Sequence, residues 1–403
     1  MDFHKSLKKL GYIESRYIEN IDIDKLHIRG SSLHAEYMDF SHANIDAHEP
    51  IPGAIKEFNF GYNQGRQFAY TPNKGDLYVR ERLAEKISAF TNSKIDPKKN
   101  ITITPGTHAA LFLSIGSVIS PGDKVAIIEP DYLDNRRILE FLGAETLAVG
   151  FNYLSSEGND AGIDLRQLEK AFQDGAKLFV FSNPNNPTGA VYSQSEIRKI
   201  AQLAAEYDAT LIVDQLYCRQ VYDDREFINI CSRKEINPEK IITIMSPSKT
   251  ESLNGFSQAV AFGSAEIIDK MESLQDVVAL RAAGYSQAVL NTWFNEPDSW
   301  LEYRVNSHQE IRDALLVQFN RMDGVRLRPT EAGSNMFVKL PNLDIEMDEF
   351  VKVLRVLANM VVIPGTDFGP QFDKSILINF SQDKNKAIEG VKRIEEILSR
   401  YRR

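Results

Sequence analysis

Short apolar runs recur through the middle of the chain, separated by stretches in which apolar residues return every third or fourth position. The runs are Ile101–Thr104, Lys124–Glu129, Thr146–Phe151, Leu178–Ser182, Thr210–Asp214, Ile241–Met245 and Gln258–Phe262. They are rich in Val, Ile and Phe, and several end at Pro, Gly, Asn or Asp, which predicts strands. Asn135–Leu142 and Gln194–Glu206 are examples of the helical stretches between them. The alternation predicts an α/β domain with a mostly parallel, roughly seven-stranded sheet between helices.

Beyond about residue 290 the pattern changes. A long helix is expected from Trp300 to about Met322, followed by strand-like Asn335–Leu340 and a helix near Met347–Leu357. Strand-like Met360–Ile363 and Ile376–Phe380 and a last helix, Lys384–Tyr401, complete a smaller α+β unit. The first fifty residues are irregular and are expected to pack across it. The expected division is a large domain over 51–290 and a small one formed by 1–50 with 291–403.

Composition narrows the classes. With 43% hydrophobic and 26% charged residues the chain reads as an ordinary globular protein. A formal net charge of −9 argues against a nucleic-acid partner. The basic pairs Lys8-Lys9, Lys98-Lys99 and Arg402-Arg403 are too short to form a basic patch. No apolar stretch approaches the roughly 18 residues of a membrane span, and the N-terminal segment lacks the apolar centre of a signal peptide. Cys218 and Cys231 have neither a disulfide framework's number nor a metal site's spacing. These features point to a cytoplasmic protein without a metal.

In an open parallel sheet, ligands bind beyond the carboxyl ends of the strands, so the polar residues just after each run are the ones to weigh. Thr104-Pro105-Gly106-Thr107-His108 opens a helix, which suits an anion but equally a tight turn. Asn183-Pro184-Asn185-Asn186-Pro187-Thr188-Gly189 is a rigid turn that displays Asn186. Asp214 ends a strongly apolar strand, with Tyr217 three residues on. A buried carboxylate there needs a cation or donors, from a ligand or from the protein. In Ser246-Pro247-Ser248-Lys249 two hydroxyls flank a lysine that, taken alone, could be any surface lysine.

Together these segments, with Glu129-Pro130-Asp131-Tyr132, fall in one order. From about Phe58 to the C-terminus the chain resembles the fold-type I pyridoxal-phosphate enzymes, specifically the class I/II aminotransferases. The series Asn-Pro-x-Asn-Pro-Thr-Gly, Asp-x-x-Tyr and Ser-x-Ser-Lys carries the resemblance. It implies pyridoxal 5′-phosphate as cofactor, held as a Schiff base by Lys249. It also implies a small-molecule amino donor and keto acceptor. Lys249, Asp214 and Tyr217 match the catalytic positions: the proton-moving lysine, the partner of the pyridine nitrogen, and a donor to the phenolic oxygen. Asn186 matches the second such donor and Tyr132 the aromatic stacked on the ring. Gly106, Thr107, Ser246 and Ser248 match the phosphate cup, with His108 and Ser257 as further cofactor-binding positions. Tyr70, in Tyr70-Thr71-Pro72-Asn73-Lys74-Gly75, matches the segment that reaches a neighbouring subunit's phosphate, so the resemblance implies a homodimer.

Two positions depart from the family. Ser257 stands where an arginine would meet the cofactor phosphate, and Leu377 where an arginine would meet the substrate's α-carboxylate. A hydroxyl adds no charge, and a leucine cannot pair with a carboxylate at all. Three explanations follow. Arg29, Arg136 or Arg219 takes over the carboxylate. Or the substrate lacks one, and the reaction is another pyridoxal-phosphate chemistry such as elimination, oxidation, decarboxylation or cyclisation. Or the chain is a catalytically degenerate scaffold. Transamination stays first. Other enzyme classes lack support, since Gly-x-Gly-x-x-Gly, Gly-x-Ser-x-Gly and P-loop patterns are absent.

Overall fold

The computed structural model describes residues 21–154 and 162–403; the N-terminal segment and its Lys8-Lys9 pair lie outside them. Seven strands form the central sheet: β1 Ile101–Thr104, β2 Lys124–Glu129, β3 Glu145–Gly150, β4 Leu178–Ser182, β5 Thr210–Asp214, β6 Ile241–Met245 and β7 Ala259–Gly263. Their order is β1-β7-β6-β5-β4-β2-β3. Only β7 runs antiparallel to its neighbours, β1 and β6; the remaining pairs are parallel.

The inner strands are apolar along their length because both faces are covered. In β4, Leu178 and Val180 enter the core shared with helix Gly106–Gly116, while Phe179 and Phe181 enter the one shared with helix Gln194–Glu206. In β2, Val125 and Ile127 divide from Ala126 and Ile128 in the same way. The edge strand β3 is half exposed and opens at Glu145, one residue before its apolar run begins.

A second sheet holds β8 Asn335–Lys339, β9 Ile363–Pro364 and β10 Ser375–Asn379, antiparallel in the order β9-β10-β8. Its even-numbered residues Met336, Val338, Ile376 and Ile378 pack with helices Trp300–Phe319, Met347–Ala358 and Lys384–Tyr401. The long helix stops at Phe319, short of Met322, where the chain turns toward Gly324 in the left-handed region. The early segment lies on this core and contributes a short strand, Met38–Asp39, parallel to Met360–Val361. Among the described residues no helix is long and apolar enough to cross a membrane.

Candidate active site

The antiparallel strand builds one corner of the site. Thr104 is paired with Ala259, and Met245 with Val260, so the residues leaving β1 and β6 meet those entering β7. Gly106, at φ +82°, lies against Ser257; a Cβ there would stand 2.9 Å from Ser257 Oγ. Both the backbone angle and the space therefore call for glycine. Ser246 Oγ donates to the Gln258 carbonyl at 2.8 Å and lies 2.6 Å from Ser248 Oγ. No side chain caps helix Gly106–Gly116, so its first amides stay open toward this corner. Hydroxyls and uncapped amides of this kind are groups suited to an anion. Thr107 is half-buried at the same helix end. His108 instead points outward, exposed, 3.6 Å from Asp134. Tyr70 is 74% exposed, with Arg281 over its ring.

Asp214 ends β5 between Ser182 of β4 and Ile244 of β6. It is buried, and its Oδ1 accepts the Leu216 N–H at 3.0 Å. Burial pushes its carboxyl up to about 6, against the pull of that N–H and of the Lys249 charge. Lys249 is half-buried, and its Nζ has no hydrogen-bond or ion-pair partner among the described residues. Tyr217 is buried three residues after Asp214, its ring lying where a Cβ at Gly333 would come within 2.8 Å.

The loops after β2 and β4 are strapped together by Asp131, a residue to which sequence reasoning assigned no role. Asp131 accepts from the Ser182 hydroxyl at 2.5 Å, the Ser182 amide at 2.9 Å and the Tyr132 amide at 2.6 Å. The Ser182 hydroxyl in turn accepts the Asn186 N–H at 2.9 Å. Asp131 thus sets Tyr132 and Asn186 relative to each other. Burial pushes its carboxyl up to about 8, although the Ser182 and Tyr132 donors pull it down. Its one sequence signal was a polar residue two positions after a strand.

The odd-numbered face of the small sheet looks toward these loops. Asn335 lies opposite Asn379, and Phe337 opposite Leu377. Asn335 Nδ2 donates to Asn186 Oδ1 at 3.0 Å. Leu377 packs with Phe337, Phe368 and Phe372, and Leu133 and Tyr153 close the cluster. Phe337 meets Phe368 and Phe372 edge-on at 5.4 and 5.7 Å. The three arginines named as substitutes are engaged elsewhere. Arg29 pairs with Asp344 at 2.7 Å, Arg136 with Glu129, and the buried Arg219 with both Glu251 and Glu296.

Comparison with known proteins gives a consistent answer. Residues 36–394 match the family described as aminotransferase class I and II. The crystal structure of an aspartate aminotransferase from Rhodobacter sphaeroides 2.4.1 superposes with a TM-score of 0.96. It is 46% identical, covering 99% of this chain and 100% of that one. An aspartate/prephenate aminotransferase of Thermus thermophilus is 27% identical over 335 residues, 82% of this chain and 83% of its own. An aspartate aminotransferase of Pyrococcus horikoshii is 25% identical over 331 residues, 82% and 83% of the two chains.

Proposed function

The chain belongs to the class I and II aminotransferase family, and on that premise we propose that Lys249 holds pyridoxal 5′-phosphate and moves the proton in amino-group transfer. The protein is an aminotransferase of small molecules; which residues serve it is inferred from the site. Gly106, Ser246, Ser248 and Ser257 offer a cradle suited to a phosphate. Asp214, a carboxyl pushed up to about 6 by burial, would gain a direct cationic partner in a protonated pyridine nitrogen. Asn186 and Tyr217 are the donors for the phenolic oxygen, and Tyr132 gives the ring an aromatic face. When bound, the cofactor supplies an electron sink for the electrons left when the substrate's Cα–H bond breaks. Lys249 Nζ takes that proton and holds it for return. The observation that supports this most is a Lys249 amine without a hydrogen bond among the described residues, set with the buried Asp214 just beyond neighbouring strands of one sheet and close enough for its charge to act on that carboxyl.

The test is Lys249→Ala. Its expected effects are loss of the cofactor's visible absorption band and a fall in amino transfer of at least about 10³-fold. Retention of wild-type turnover would sink the assignment.

The working unit is proposed to be a homodimer. Tyr70 projects from a segment tied to Asp276 through Asn73, beside the exposed Val277 and Val278. A second copy would cover this surface and receive Tyr70 at its own cradle.

Aspartate is the first donor to test, because the R. sphaeroides relative is an aspartate aminotransferase. The apolar setting of Leu377 favours a second reading, in which the substrate's carboxylate is not what the enzyme recognises. Turnover of aspartate with phenethylamine inert supports the first. Phenethylamine turned over within about tenfold of phenylalanine supports the second.

A further inference from the structure

We propose that Asn335 is a positioning residue which, with Asn379, dictates which end of the Asn186 amide faces the cofactor. The proposal rests on Asn186 as a donor to the phenolic oxygen. The two ends of an amide have nearly the same shape, so only the surrounding hydrogen bonds decide which is which. In this cluster one contact has a fixed polarity. The Ser381 backbone N–H can only donate, and it lies 3.0 Å from Asn379 Oδ1.

That contact sets the whole series. Asn379 must show its oxygen to Ser381, so its Nδ2 turns to Asn335 Oδ1 at 2.8 Å and to Ser334 Oγ at 3.0 Å. Asn335, committed oxygen-first, gives its own Nδ2 to Asn186 Oδ1 at 3.0 Å. Asn186 is left with Nδ2, which has no protein partner among the described residues. Asn335 and Asn379 are only 6% and 3% exposed, so water does not compete for these bonds. They are directly opposed across β8 and β10, which holds the first link. The Asn186 backbone is already held by Ser182 Oγ, so the amide's rotation is what remains to be set. With any one amide reversed, Asn186 would meet the phenolic oxygen acceptor to acceptor.

The readout is the pH midpoint of the holoenzyme's visible absorption band. A donor at the phenolic oxygen stabilises the deprotonated, more negative form, so losing it raises the midpoint. Asn186→Ala is expected to raise it by about one pH unit, the equivalent of one hydrogen bond. Asn335→Leu should raise it by about half as much, because Asn186 then samples both orientations. Asn379→Leu removes the anchor without adding a charge, so Asn335 and then Asn186 are free to turn, with a rise of similar size. Should Asn335→Leu fail to fold, Asn379→Leu decides. A shift in Asn186→Ala with none in the Asn335 or Asn379 variants overturns the proposal and leaves the role of Asn186 standing. No shift in Asn186→Ala removes that role and the proposal with it.

Discussion

The seven-stranded and three-stranded sheets both reach the Asn186 loop, but they bring chemistry to it in different ways. The large sheet works through strand ends: Asp214 closes β5, and Ser246–Lys249 follow β6 within four residues. The small sheet works through a face, where Asn335 and Phe337 of β8 meet Asn379 and Leu377 of β10. A strand end keeps its groups together by chain continuity. A face keeps them together by register, and a one-residue slip of either strand would turn its two residues away. The electrostatics differ as well. The strand ends hold acids pushed up by burial, Asp131 to about 8 and Asp214 to about 6. Beside the small sheet, burial pushes two stacked histidines down, His48 to about 4 and His308 to about 3. Burial alone leaves each group inclined to be neutral. Only the strand ends have a proposed ligand whose charge would reverse that.

The largest effect is expected from an arginine placed on the small sheet. Leu377→Arg inserts a guanidinium among Phe337, Phe368 and Phe372, with no carboxylate in the cluster. An unpaired buried charge should lower stability by about 3–5 kcal/mol, read from the denaturant midpoint, with no gain in aspartate turnover. An unchanged midpoint together with a lower KM for aspartate would show that the face is open to substrate after all.

A smaller effect sharpens the electrostatic contrast. His308 is buried, stacked on His48 at 4.1 Å, and bonded to the Arg304 carbonyl and Ser381 Oγ. Its folded pKa lies below the unfolded value, chiefly through burial and then through His48. The unfolded chain therefore takes up the proton first. The stability His308 contributes is complete above about pH 6.5 and is lost as pH falls toward about 3. Between pH 7 and 5 this should amount to about 2 kcal/mol, and His308→Gln should remove it. Identical pH slopes for wild type and variant would overturn the assignment to His308, and the strand-end carboxyls could not stand in for it, because acids pushed up by burial favour the folded state as pH falls.

The same contrast explains what could be read from the sequence. Leu178–Ser182 and Ile241–Met245 coincide with their apolar runs because both faces of those strands are buried. Lys249, Asp214, Tyr217 and Asn186 stood out as candidates because each lies in a contiguous motif at or just after a strand end. The antiparallel direction of β7 was not, since an apolar run carries no direction, and so neither was the contact of Ser257 with Gly106. Asp131 acts on Ser182, 51 residues away, and Asn335 on Asn186, 149 away. Neither link exists before the strands are paired. Asparagine is uncommon within strands, and its presence in both β8 and β10 was the one available hint.

Ser257 sets the smallest test, on the large-sheet side. It is exposed, held at φ +50° at the end of a short turn, and faces Gly106. Ser257→Arg keeps the backbone in a region where serine already bears the steric cost. A charge-assisted bond to a phosphate dianion contributes about 1.5–3 kcal/mol. Ordering the longer side chain costs up to about 2 kcal/mol. The balance predicts cofactor binding tighter by about tenfold at most, measured by titrating the apoenzyme. Because the position is exposed, the gain should shrink as salt is raised. A gain that survives high salt would point to a more enclosed cradle, for instance one closed by the second subunit's Tyr70. If affinity does not change at any salt, the serine hydroxyls and open helix amides already hold the phosphate as well as a guanidinium could.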